Sequence, residues 1–229
     1  MKLSIIIPVY NERKTILDLL ERIKAVKFDI DSEIIIIDDA STDGTREILK
    51  NVAQEEQNNY KIFFQEVNQG KGLALRRGFK EATGDIIAIQ DADLEYNPQE
   101  LPDLVRPISE GRAEVVYGSR FLTKHRPIYK IFYLGNRFLS FLFYLFYGHK
   151  INDPWTCYKV FKRNLIQSLE LESNGFDLEI ELTADFLKKK HKILEIPISY
   201  HPRLYKDGKK IKYTDGLRAI WAIAKYRYS

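Results

Sequence analysis

The strongest constraint on this chain is an alternation. Five short runs rich in β-branched and aromatic residues, "LSIIIPVY", "EIIIIDDA", "KIFFQE", "DIIAIQDAD" and "AEVVYGSR", are separated by stretches of helical periodicity. Ile16, Leu19, Leu20, Ile23 and Val26 recur at helix spacing after Asn11 and Glu12, as do Ile48, Leu49 and Val52 after "STDGT". Leu75, Phe79 and Ala82 follow Gly70 and stop at Gly84, a helix stop signal. Strands apolar at nearly every position need cover on both sheet faces. Alternating strand and helix with both faces covered predicts a doubly wound α/β layer over about the first 120 residues.

Sheets of this kind bind ligands outside the carboxyl ends of their strands. Polar residues collect there: Tyr10 to Glu12 after Pro8, Asp38 and Asp39, Asp91 and Asp93, and Ser119 and Arg120. Composition removes other classes. The 229 residues carry 36 basic and 32 acidic side chains, a net charge of +4, too balanced for a nucleic-acid surface. One cysteine, Cys157, excludes an internal disulfide and fits a reducing compartment. "MKLSIIIPVYNE" does not read as a signal peptide, because its apolar run is short, ends at Pro8 and lacks a small-residue cleavage site. With no G-x-G-x-x-G and no Walker lysine loop, neither a dinucleotide nor a P-loop nucleotide is expected.

Asp91 and Asp93 close an apolar run with one alanine between them. Two readings stand. The strand ends and water solvates them, or a hard cation such as Mg²⁺ or Mn²⁺ uses them together with substrate phosphates. Asp38 and Asp39 likewise suit either a ribose or base contact or the cap of the helix that follows "DDASTDGT". Lys71 is either a phosphate contact or an ordinary lysine in the first turn of a helix.

Taken in order, "SIIIPVYNE", "IIDDASTDGT", "NQGKGLALRRGFKEATGDIIAIQDADLEYNP" and "GSR" resemble the inverting nucleotide-sugar glycosyltransferases of family 2, which have the GT-A fold. "DPWTCYKVF", "GFDLEIEL" and "YHPRLYKDGKKIKYTDG" resemble one branch of it, the polyprenyl-phosphate (dolichyl-phosphate) mannose and glucose synthases. The resemblance implies one GT-A domain over 1–229: a Rossmann-like, nucleotide-sugar-binding half over 1–120 and an acceptor half over 121–229 with appended helices and a basic loop. It implies nucleotide binding by Pro8, Tyr10, Glu12, Ile37, Asp39, Lys71, Asp91 and Ala92, and a Mg²⁺ or Mn²⁺ ion on Asp91 and Asp93. Asp93, Arg120 and Arg137 would stand at the reacting groups. GDP and UDP, and the hexose, stay open.

The acceptor divides the remaining readings. A hydroxyl acceptor needs a general base, for which Asp177 and Glu179 are the nearest candidates. A polyprenyl phosphate is already ionised and needs cations instead, which Arg120, Arg137, Arg203, Lys209 and Lys210 could supply with Ser140. In that case Glu179 is expected to be dispensable. The aromatic segment 128–147 is about 30 Å long as one helix, enough to cross a bilayer. Crossing is rejected. It would bury Arg137 at a cost of roughly 2.5 to 3.5 kcal/mol and put "YHPRLYKDGKK" across the membrane from Asp91 and Asp93. Lys130, Arg137 and Tyr144 align every seven residues, with Ser140 close by. That face suits a lipid phosphate on a helix lying in the cytoplasmic membrane interface. The alternative is a helix packed against the sheet or against a partner, either a membrane protein or a second copy. Two other functions remain open: transfer to a saccharide or protein hydroxyl, and a non-catalytic nucleotide-sugar-binding subunit. No Q-x-x-R-W is present, so a processive polysaccharide synthase is not expected.

Overall fold

A computed structural model describes residues 1–54, 60–122, 130–203 and 213–228, the backbone alone at 130–132 and 213–215. The first half alternates as the periodicity predicts: β1 (Lys2–Val9), α1 (Ile16–Lys24), β2 (Asp31–Asp38), α2 (Thr45–Gln54), β3 (Tyr60–Phe64), α3 (Lys71–Glu81), β4 (Ile86–Ile89), α4 (Leu101–Ser109) and β5 (Val115–Ser119). The second half contributes α5 (Lys130–Tyr147), β6 (Lys159–Lys162), α6 (Arg163–Gln167), α7 (Leu178–Lys188), β7 (Ile193–Pro197) and α8 (Tyr213–Tyr228).

All the strands join one seven-stranded sheet in the order β3-β2-β1-β4-β6-β5-β7. The pairs β1–β2, β1–β4, β2–β3 and β5–β7 are parallel. The short β6 runs antiparallel to both β4 and β5, so the doubly wound sheet is mixed. The chain builds outward from β1 through β2 to β3, then returns to β4 on the other side of β1. That reversal opens a crevice between the β1 and β4 ends, where ligands bind in open α/β sheets.

Alternate residues of the central strands feed two cores, which is why the strand sequences are apolar throughout. Ile5, Ile7 and Ile36 pack towards α1, α2 and α4, and Ile6, Ile35 and Ile37 towards the face covered by α3, α5, α7 and α8. Gly78 lets α3 lie directly on β1, since a Cβ there would overlap the Ile6 side chain.

The segment expected at the interface forms one helix, α5. Its inner side buries Asn136, Leu139, Ser140 and Phe143 against α7 and α8. Its outer side exposes Leu134, Phe138, Phe141, Tyr144 and Leu145, with Arg137 among them. Among the described residues, no helix is long and apolar enough to cross a membrane.

Candidate active site

The crevice at the switch point encloses a cavity of about 330 Å³. Three strand ends reach it, and each turns through a non-glycine residue in the left-handed region: Asn11 after β1 (φ 52°), Ala40 after β2 (φ 59°) and Leu94 after β4 (φ 61°). Left-handed backbone is costly for such residues and gathers at functional sites. Here it turns the chain sharply enough to leave Glu12, Asp39 and Asp93 in the cavity wall.

β4 stops at Ile89, so Asp91 and Asp93 lie on a turn rather than on one strand face. Asp93 Oδ1 accepts from the Glu95 amide at 3.0 Å, which fixes the turn. Both side chains stay partly open to the cavity, at 14% and 24% exposure. Lys71 Nζ lies 2.6 Å from Asp91 Oδ1, and Arg203 Nη2 lies 3.5 Å from Asp93 Oδ2. Among the described residues, no three His, Cys, Asp or Glu side chains gather into an all-protein metal cage. Two carboxylates facing a cavity fit a hard cation whose other ligands are phosphate oxygens and water.

Lys71 opens α3 immediately after Gly70, whose φ of 98° and contact with the Asn174 carbonyl exclude a side chain there. Its ammonium sits between Asp91 and Glu179, the latter at 3.5 Å. Burial opposes the charge, but Asp91 and Glu179 outweigh it and hold the lysine pKa well above its ordinary value. Lys71 is therefore a fixed cation in the crevice wall. Cys157 lines the same wall, and burial pushes its thiol pKa up, which disfavours the thiolate.

Asp39 is buried and its carboxylate is heavily engaged. It accepts from Gln65 Nε2, Asn68 Nδ2 and the amides of Gln69 and Gly70, all at 2.8–2.9 Å. Asp39 thus ties the loop that carries Lys71 to the end of β2. The cap of α2 comes from Asp43, which accepts from the Thr45 amide, while Asp38 pairs with Arg46. Asp39→Ala is expected to lower stability, by about 1.5–3 kcal/mol for each uncompensated bond to the charged group, and, on the role the resemblance implies, to weaken nucleotide binding. Calorimetry and thermal unfolding on one preparation read both. A weaker nucleotide with an unchanged melting temperature would mean that the loop does not depend on Asp39.

The segment Ser199–Arg203 straps the far wall. Ser199 bonds Glu100, Tyr200 and the Arg203 amide bond the Glu95 carboxylate, and Arg203 Nη2 bonds both Glu12 oxygens at 2.9 Å. Arg120 enters from the end of β5, its guanidinium clasped by the buried Asp153.

Among the expected site residues, the structure gathers Pro8, Tyr10, Glu12, Asp39, Lys71, Asp91, Ala92, Asp93, Arg120 and Arg203 around one cavity. Ile37 lies in the core towards α3 and does not line the cavity. Arg137 is exposed on the outer side of α5, also outside the lining. Ser140 faces inward and donates to the Ile151 carbonyl, so the expected face of Lys130, Arg137, Ser140 and Tyr144 is split between the two sides of the helix. Lys209 and Lys210, and the Lys130 side chain, lie outside the described residues. The lining adds Asn68, Glu95, Trp155, Phe176 and Tyr200, which lie within the motifs that carry the resemblance but were not singled out as site residues.

The fold is of the GT-A type. It superposes on glucosyl-3-phosphoglycerate synthase from Mycobacterium tuberculosis, solved with uridine diphosphate, with a TM-score of 0.75 at 21% identity over 99% of this chain and 80% of that one. The chain belongs to glycosyl transferase family 2, which residues 4–169 match. It is 31% identical over 235 residues to a dolichol-phosphate mannosyltransferase of Pyrococcus furiosus, covering 99% of this chain and 64% of the relative. It is 29% identical over 210 residues to an undecaprenyl-phosphate 4-deoxy-4-formamido-L-arabinose transferase of Proteus mirabilis, covering 91% and 62%. The chain thus spans less than two thirds of the length of these curated relatives.

Proposed function

We propose that the protein transfers a hexose, with inversion, from a nucleotide-sugar to a polyprenyl phosphate at the cytoplasmic face of a membrane. The observation that carries the phosphate acceptor is the state of Glu179. It is buried, with Oε2 2.8 Å from the buried Lys159 ammonium and Oε1 3.5 Å from Lys71. A carboxylate held between two ammonium groups is a poor general base, because accepting a proton would break both pairings. An acceptor that arrives ionised needs no base. It needs the cations that the wall supplies, Arg120 and Lys71. The names of both relatives, a dolichol-phosphate and an undecaprenyl-phosphate transferase, support the same acceptor class.

Asp91 and Asp93 would hold the Mg²⁺ or Mn²⁺ ion. When bound, that ion offsets the negative charge developing on the leaving nucleoside diphosphate. Asp39 keeps the Lys71 loop in place, Arg120 orients the acceptor phosphate, and the Ser199–Arg203 strap closes the donor side against water. The outer face of α5, with Leu134, Phe138, Phe141 and Leu145 exposed, suits the isoprenoid chain and the membrane interface. Leu217 and Trp221 of the adjoining α8 are exposed as well. Arg137 stands on the same side of α5, within reach of lipid headgroups.

The test offers GDP- and UDP-linked hexoses to a short-chain polyprenyl phosphate, to the matching polyprenol and to free saccharides. Transfer to the phosphate alone is expected, and transfer to an alcohol would sink this reading. In the same assay on vesicles, Arg137→Ala should raise the acceptor KM by roughly tenfold or more, the loss of one charge-assisted contact, and leave the donor KM unchanged. An unaltered acceptor KM would remove Arg137 from the acceptor site.

A further inference from the structure

The Arg120 guanidinium reaches the crevice as the last member of a hydrogen-bonded relay that runs through the buried Asp153. Asp153, fully buried, takes three bonds from Arg120: from its amide at 3.0 Å, from Nε at 2.8 Å and from Nη2 at 2.7 Å. The Asp153 amide in turn donates to Glu195 Oε1 at 2.9 Å. The neighbouring Asn152 gives the same carboxylate its amide and its side chain, the latter at 2.7 Å. Glu195 sits on β7, in register with Tyr117 of β5, the strand that delivers Arg120. From the other side α5 grips the same loop, Asn136 donating to the Asn152 carbonyl at 2.8 Å and Ser140 to the Ile151 carbonyl. The guanidinium plane is backed by the Tyr200 ring at 5.1 Å and the Phe121 ring at 5.4 Å.

We propose that Asp153 and Glu195 are positioning residues for Arg120. Asp153 holds the Nε–Nη2 edge of the fork, and Glu195 holds the loop that carries Asp153. The guanidinium is thereby fixed in the cavity wall, where it meets the acceptor phosphate. The inference rests on the role given to Arg120 in the proposed function. Two observations separate it from an ordinary structural pair. Arg120 is 15% exposed at the cavity while Asp153 is 0% exposed, so one partner serves the crevice and the other serves only Arg120. A buried pair is also no better for stability than apolar packing, so stability alone does not account for a second carboxylate, Glu195, spent on the same loop.

The experiment is a double-mutant cycle on Arg120→Ala and Asp153→Asn, with donor and acceptor varied separately and thermal unfolding recorded for each protein. Asp153→Asn is expected to raise the acceptor KM on the order of tenfold to a hundredfold, the scale of a misaligned contact, and to leave the donor KM unchanged. In the Arg120→Ala background the same change should cost nothing more. Additive losses, or equal shifts in both KM values, would overturn the proposal by giving Asp153 a role independent of Arg120. If Asp153→Asn fails to fold, Glu195→Gln leaves the Arg120–Asp153 pair intact and loosens only the loop. It should show a smaller rise in the acceptor KM, absent in the Arg120→Ala background, and no such rise would overturn the relay. A wild type that transfers only to an alcohol would defeat the phosphate reading instead. The cycle is then run on that acceptor, where coupling or additivity decides the relay by the same criterion.

Discussion

Asp93→Ala is expected to cut turnover by about a hundredfold or more, the scale on which removal of one charge-stabilising group acts. Asp93 is the more exposed of the two carboxylates on the β4 turn and opens to the cavity beside Arg203. On the proposed reading, its loss would remove a ligand to the divalent cation and a negative charge that the cation offsets. The fold should persist, because Arg203 keeps both Glu12 oxygens and the strap keeps its bonds to Glu95 and Glu100. Asp93→Asn is the control. It retains an acceptor for the Glu95 amide and so keeps the turn, yet it lacks the charge, and it should lose nearly as much activity as alanine. Excess EDTA should silence the wild type, with Mg²⁺ or Mn²⁺ restoring turnover. Undiminished transfer in EDTA would exclude a catalytic cation at this pair.

Much of the donor side was legible because its signals are local. Each apolar run ends in polar residues within a few positions, and the strand order then brings the ends of β1, β2 and β4 together. What escaped depends on long-range register. Asp39 reads as a ribose or base contact or a helix cap, but its donors come from residues 65–70, across the β2–β3 pairing. Arg120 and Asp153 are 33 positions apart, and nothing in the spacing announces their pairing. β6 has four residues and no period long enough to distinguish it from a loop, although it is the strand that joins the two parallel blocks. Segment 128–147 is apolar on every side, so its periodicity could not tell Ser140, which faces inward, from Arg137, which faces out. In the strap, Tyr200 reads only as the start of a basic loop and Arg203 as a cation for the acceptor phosphate. The acidic partners of Ser199, Tyr200 and Arg203, at Glu100, Glu95 and Glu12, lie more than ninety positions away.

Lys159→Met should lower stability by about 3–5 kcal/mol, the cost of removing one partner from a buried ion pair. Lys159 has no exposed surface, and its ammonium bonds Glu179 at 2.8 Å and the Thr156 carbonyl and lies 4.6 Å from the centre of the Tyr117 ring. Methionine fills nearly the same volume, so the loss is of charge and hydrogen bonds rather than of packing. Glu179 would then retain only the looser contact to Lys71 at 3.5 Å. For a chain of this size each kcal/mol moves the melting temperature by roughly 2–4 °C, so a fall of roughly 6–20 °C is expected. The geometry also makes Glu179→Gln a stability mutant. Any activity it loses must be read against its melting temperature before a general base is invoked. The double change Lys159→Met with Glu179→Met separates the two roles of the pair. Replacing a buried pair by apolar groups of similar volume is often neutral, so much of the stability should return. Activity should not return with it, since Lys71 would have lost the second carboxylate that holds its ammonium in the crevice. Thermal unfolding and turnover on the three proteins decide the matter. A double variant that regains both would show that the pair serves the core alone, and a Lys159→Met protein as stable as the wild type would show that Glu179 is satisfied without it.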